Sequence, residues 1–117
     1  MALNNAAKNL MLDSFGASAV YVSLHTADPG STGTSEVSGG SPAYARKAVT
    51  WNAASTGDLD NNANPVFDVP ASTTVTHFGL WSAATSGTFY GGAALSASET
   101  FGGQGTYTFT DIDVTLT

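Results

Sequence analysis

Apolar residues recur at spacings of three and four from Leu3 to Phe15, then at every second position in several short runs. The first pattern predicts a short helix over residues 3–15, with Leu3, Ala7, Leu10, Met11 and Phe15 along one face. Asn4 or Asn5 suits its start and Gly16 its stop. At about three turns it needs a surface to pack on, and its apolar stripe is expected to cover one end or face of the chain's own sheet. In residues 19–25, Val20, Val22 and Leu24 alternate with Tyr21, Ser23 and His25, as in a strand. Further strands are expected at 44–51, at 66–69 between Pro65 and Pro70, at 74–82, at 88–95 and at 106–116. The prolines suggest an edge position for 66–69. Residues 52–64 read as a polar loop, and 102–105 as a turn.

The last run contains a phase change. Tyr107 and Phe109 share one face of a regular strand, whereas Ile112, Val114 and Leu116 share the other. A bulge or bend near Thr110–Asp111 would bring all five to the core side. Between the first two strands, residues 26–43 hold mostly glycine and small polar residues, with Glu36 among them. This stretch is too long for an ordinary hairpin loop and is expected to be an exposed, flexible arm. Short strands separated by turn signals give the fold class: all-β with one short N-terminal helix, an antiparallel β-sandwich or small barrel. The 117 residues suit one domain.

Composition changes the picture in one respect. Charged residues make up 10% of the chain, against about 25% in an average soluble domain. Ser, Thr, Asn, Gly and Ala take their place. Two explanations fit: a surface covered by neighbours in an assembly, or a neutral hydroxyl-rich surface. The net charge is −6 and the cations are Lys8, Arg46 and Lys47. Three cations cannot form the basic stripe that phosphate neutralisation requires, so no nucleic-acid partner is expected. There is no cysteine, hence neither a disulfide nor a thiolate zinc site. No apolar run reaches the ~18 residues of a membrane span, and no secretory leader pattern stands at the start. A soluble protein assembled in a host cytoplasm is expected, with no membrane partner.

No catalytic constellation emerges. Asp58-Leu-Asp-Asn-Asn62 opens like a calcium loop, but Ala63 and Val69 stand where the EF-hand needs glycine and glutamate. His25 and His77 lie on different strands and read as structural groups. Ser23 and Ser82 lack a nucleophile elbow. Gly102-Gly103-Gln104-Gly105 opens a strand, whereas a phosphate cradle needs a helix N-terminus behind it. No cofactor, metal ligand or catalytic residue is assigned. Glu36, Tyr44, Arg46 and Lys47 are the candidate interaction residues. Arg46 suits a carboxylate on a neighbouring subunit through its planar fork; a solubilising edge pair of Arg46 and Lys47 is the alternative.

Leu24-His25-Thr26 before Asp28-Pro29-Gly30, Tyr44-Ala-Arg46, Thr76-His77-Phe78-Gly79 with Trp81, and Phe89-Tyr90-Gly91 together resemble a family of small virion proteins from tailed bacteriophages, most familiar from phages of actinobacteria. The resemblance runs over nearly the whole chain. It implies a structural role in the virus particle and brings no catalytic residues. The first expectation is a minor capsid or decoration protein on the outer capsid surface. It would bind the major capsid protein and copies of itself as a trimer. A tail, baseplate or fibre component is the alternative, and a host-glycan binding module using Trp51, Trp81 or Tyr90 is a third.

Overall fold

Two alternating segments make the middle of the molecule. Strand β1 (Tyr21–His25) pairs antiparallel with β5 (Thr73–Trp81), in a register that sets Tyr21 opposite Trp81 and His25 opposite His77. The two-residue β2 (Lys47–Ala48) flanks β1, and the long β6 (Phe89–Phe101) flanks β5, giving the sheet order β2-β1-β5-β6. Two further antiparallel pairs complete the fold: β3 (Asp58–Asp60) with β8 (Asp113–Thr115), and β4 (Val66–Val69) with β7 (Gly105–Thr108). Helix α1 (Asn5–Ser18) precedes them all. This computed structural model describes residues 1–116. The architecture is a small antiparallel β-sandwich with one short helix and no closed barrel.

The core lies between the four-stranded sheet and the two strand pairs. Val22, Leu24 and Val75 from the sheet are fully buried with Phe67, Val69 and Ile112. Phe78 and Phe109 meet edge to face at 5.1 Å, the arrangement aromatic quadrupoles favour. The phase change in the last run is resolved by a break. β7 ends at Thr108, Phe109 and Ile112 turn inward and buried, and β8 begins at Asp113 against a different partner. Tyr107 and Val114 pack against the same core.

Several boundaries differ from those predicted. The helix starts at Asn5 on the Asn4 cap, whose side chain accepts from the Ala7 N–H at 3.0 Å, and runs through Gly16 to Ser18. Gly16 is a packing residue instead of a stop: a Cβ there would lie 3.1 Å from Trp51 and 3.2 Å from Leu59. The buried side of the helix is shifted by one position from the apolar stripe. Leu12 is buried, whereas Leu10 and Met11 are exposed. Hydrogen bonds decide this rotation. Asn9 accepts from the Gly57 N–H and Asp13 from the Ala54 N–H, so polar side chains fasten α1 to the loop after β2.

The 44–51 run forms regular strand only at Lys47–Ala48, and the polar loop at 52–64 contains β3. Thr88–Leu95 extends to Phe101. Residues 26–43 run along the domain with most side chains exposed and with Pro29 and Val37 buried. Thr26 donates to the Ser35 carbonyl, Val37 donates to the Leu24 carbonyl, and the Val37 side chain is buried. This explains why β1 loses its alternation: Val22 through His25 are all buried, because the sheet core covers one face and this loop the other.

Candidate functional site

The loop is held by a polar clamp built from residues the sequence singled out. Glu36 forms a bridge beside His25 at the end of β1. Its carboxylate receives two parallel bonds from Arg46, Nε to Oε2 and Nη2 to Oε1, each 3.0 Å. This is the bidentate fork that arginine makes and lysine cannot. Tyr44 donates to the same Oε2 at 2.9 Å and accepts from the Leu24 N–H at 2.9 Å. The remaining Arg46 nitrogen, Nη1, donates to the carbonyls of Ala83 and Ser86 in the turn between β5 and β6. The guanidinium lies 3.5 Å over the Trp81 ring, a cation–π contact. The side chain of Arg46 is 9% exposed and that of Glu36 23%. Burial pushes the Tyr44 phenol well above its ordinary range, and the neighbouring Glu36 charge adds to this.

A second polar layer lies behind Trp81. The indole N–H donates to Ser23 Oγ at 2.7 Å, and Ser23 Oγ lies 2.6 Å from His25 Nε2. The other ring nitrogen, Nδ1, is 2.7 Å from the Thr34 carbonyl, which can only accept, so Nδ1 carries the proton and Nε2 accepts from the serine. Burial of His25 lowers its pKa, and the Thr34 bond opposes that in part. Ser23 and His25 are both fully buried. A serine–histidine pair of this kind has no face toward a substrate, and its hydroxyl already accepts from Trp81. The packing leaves no room for side chains nearby. A Cβ on Gly33, which has φ +79°, would lie 2.5 Å from the Trp81 ring; one on Gly79 would lie 2.7 Å from Ser23 Oγ.

The candidate residues therefore divide. Glu36, Tyr44 and Arg46 come together, and the carboxylate that fills the Arg46 fork is the chain's own Glu36, not a neighbour's. Among the described residues this is the only ion pair. Lys47 points elsewhere, on β2 opposite Val22. The two histidines face each other across β1 and β5, yet His77 bonds Thr76 while His25 bonds Ser23 and Thr34. Sequence reasoning placed Ser23 and His25 on one face of a strand and singled out Trp81, but missed that the three are hydrogen-bonded together. Asp60, Asp111 and Asp113 bring carboxylate oxygens within 4.8 Å of one another at the surface, but all three are exposed. An exposed acidic group of this kind does not by itself make a cation site. The Asp60 hydrogen bond is the first cause that raises Asp113 to about 6.

The segments that carry the phage resemblance thus converge. Leu24-His25, Tyr44-Ala-Arg46, Gly79 with Trp81, and Phe89 build one buried cluster that fixes the loop and the β5–β6 turn. Among the described residues, no helix is long and apolar enough to cross a membrane. No curated protein matches the chain. A family model does, over residues 2–117, and its description is Podophage GP4 fiber I protein gp80. The chain belongs to that family of tailed-phage fibre proteins.

Proposed function

We propose that this protein is a structural subunit of a fibre on a tailed-phage virion and carries no catalysis of its own. The family match over residues 2–117 is the observation that carries this reading. It favours the fibre alternative over a decoration protein on the outer capsid surface. The site geometry agrees with a scaffold role. The polar groups that resemble catalytic parts are buried and mutually satisfied, with no buried side-chain nitrogen or oxygen left unpartnered among the described residues. The partners that accompany this reading are further copies of the chain and the tail structure from which the fibre projects, in place of the major capsid protein.

Position on the particle tests it. Gold-labelled antibody against the purified protein is expected to mark fibres at the tail, and gel densitometry of purified virions should give a small number of copies per particle. Uniform labelling of the head, with copies on the order of the capsomer number, would overturn the fibre reading and restore decoration.

A further inference from the structure

β6 is the free edge of the four-stranded sheet. On the side away from β5 its backbone has no hydrogen-bond partner among the described residues. Open N–H and C=O groups along an edge are a template for another strand. The remaining sheet edges are shorter, none longer than four residues, the uncharged β7 included. β2 has two residues and carries Lys47. β3 and β8 have three each and carry Asp58, Asp60 and Asp113. β4 is confined between Pro65 and Pro70. No charged side chain occurs between Asp68 and Glu99, so almost all of β6 is neutral in a chain of net charge −6.

Two irregularities shape this edge. Trp81 pairs with Phe89 and Leu80 with Gly91, which leaves Tyr90 as an extra residue. A bulge re-aims the side chain it carries: Tyr90 is 40% exposed and leans edge-on against Phe15 at 5.6 Å. Farther on, residues 95–98 stand outside the pairing between Ala94 and Glu99. Between the two lies a strip of small residues, Gly91 to Ala94, in register with β5. A groove of about 480 Å³ runs beside this strip, with Met11 and Phe15 of α1 on one side and Val114 and Leu116 on the other. A second groove of about 330 Å³ continues it along Ala93 to Ser96 toward Tyr107 and Phe109. A projecting aromatic thus sits next to a strip of small residues on a strand without charge before Glu99, bordered by two hollows that Asp113 lines, with Asp111 also in the second.

Such an edge is complementary to itself. We propose that it binds a second copy of this chain, β6 antiparallel to β6, about a two-fold axis at Gly92. This register sets each Tyr90 opposite the small Ala94 of the other copy. It also keeps the two Glu99 carboxylates at opposite ends of the contact, where a parallel pairing would set them side by side. Like charges opposed across strands are destabilising. The inference rests on the reading that the chain works in many copies. One buried tyrosine covers about 150–250 Å², and a standard interface needs about 800 Å² per partner. The short strip and its flanks fall below that, so the free protein is expected to dimerise with a Kd on the order of 10–100 μM, that is, about −6 kcal/mol. Tethering in a fibre would raise the effective concentration.

Sedimentation equilibrium of the full chain tests the contact. A monomer–dimer equilibrium is expected, and Ala94→Lys or Tyr90→Ala should weaken it at least tenfold while the circular dichroism spectrum stays unchanged. Because the chain has no cysteine, a short bis-maleimide should link Ala93→Cys into dimers and leave the control Thr32→Cys monomeric. A wild type that stays monomeric at about 1 mM, a trimer, or equal linking of both cysteine variants would overturn the proposal. Labelling of the tail fibres in virions would be unaffected by any of these outcomes, so a failure here is separable from a failure of the fibre assignment.

Discussion

Arg46 directs four of its five N–H donors into its own chain, and this sets what its removal would do. Its guanidinium is nearly buried against Trp81 and is matched by one carboxylate. Removing one partner of such a pair costs far more than the pair contributes net, because the other charge is left in a poor environment. Glu36 keeps some solvent access, which softens the penalty. Glu36→Ala is expected to cost about 2–3 kcal/mol in urea unfolding, and Arg46→Ala a similar amount. Arg46→Lys should recover little, since a lysine cannot reproduce the fork to Glu36 together with the bonds to Ala83 and Ser86. The double variant should cost less than the two single changes added together, by at least about 1 kcal/mol. Additive losses would mean that the two side chains act independently.

At the scale of elements, the clamp is what turns a glycine-rich segment into a packed layer. Residues 26–43 offer two buried apolar side chains, Pro29 and Val37, and few regular bonds. Their position depends on Glu36 being held from three directions. Loss of the clamp should release the loop while the sheet persists. Brief proteinase K digestion is expected to leave wild type intact and to cut Arg46→Ala within residues 26–43; a pattern identical to wild type would show that other contacts hold the loop. The same segment shows why sequence reading reached only part of the fold. β1 and β5 were legible because Val22, Leu24 and Val75 alternate with polar neighbours. Glu36, Tyr44 and Arg46 were legible as unusual residues in a charge-poor chain. Their meeting was not, because it joins a loop to a strand turn through a bond pattern with no local period. β3 was hidden for a related reason: Asp58-Leu-Asp60 has one buried residue, Leu59, and its pairing with β8 is set from far along the chain. The helix face was misjudged because Asn9 and Asp13, not apolar contact alone, fix its rotation.

For the whole molecule, two groups give stability opposite slopes with pH. His25 is neutral and buried, with a pKa below its ordinary 6.5. Its contribution is complete above pH 6.5 and is lost as pH falls toward the lowered value, because the unfolded chain takes up the proton first. Asp113 is raised from 3.8 to about 6, chiefly by the hydrogen bond to Asp60 directly across the β3–β8 pair. The folded state therefore holds the proton more tightly, and that contribution is complete below pH 3.8 and is lost as pH rises through about 6. The two effects oppose each other between pH 4 and 6.5, so wild-type stability should vary little there. Asp113→Asn removes the rising repulsion and leaves the histidine effect alone. Because the acidic cluster is exposed and salt-screened, the gain at pH 7.5 is expected to stay below about 1 kcal/mol and to shrink further in 1 M salt. In the variant, the urea midpoint should fall on acidification from pH 6.5, more steeply than in wild type. The same steepness in both proteins would mean that Asp113 does not share a proton with Asp60. A variant with no fall at all would mean that His25 accepts a proton without leaving its bonds to Ser23 and Thr34.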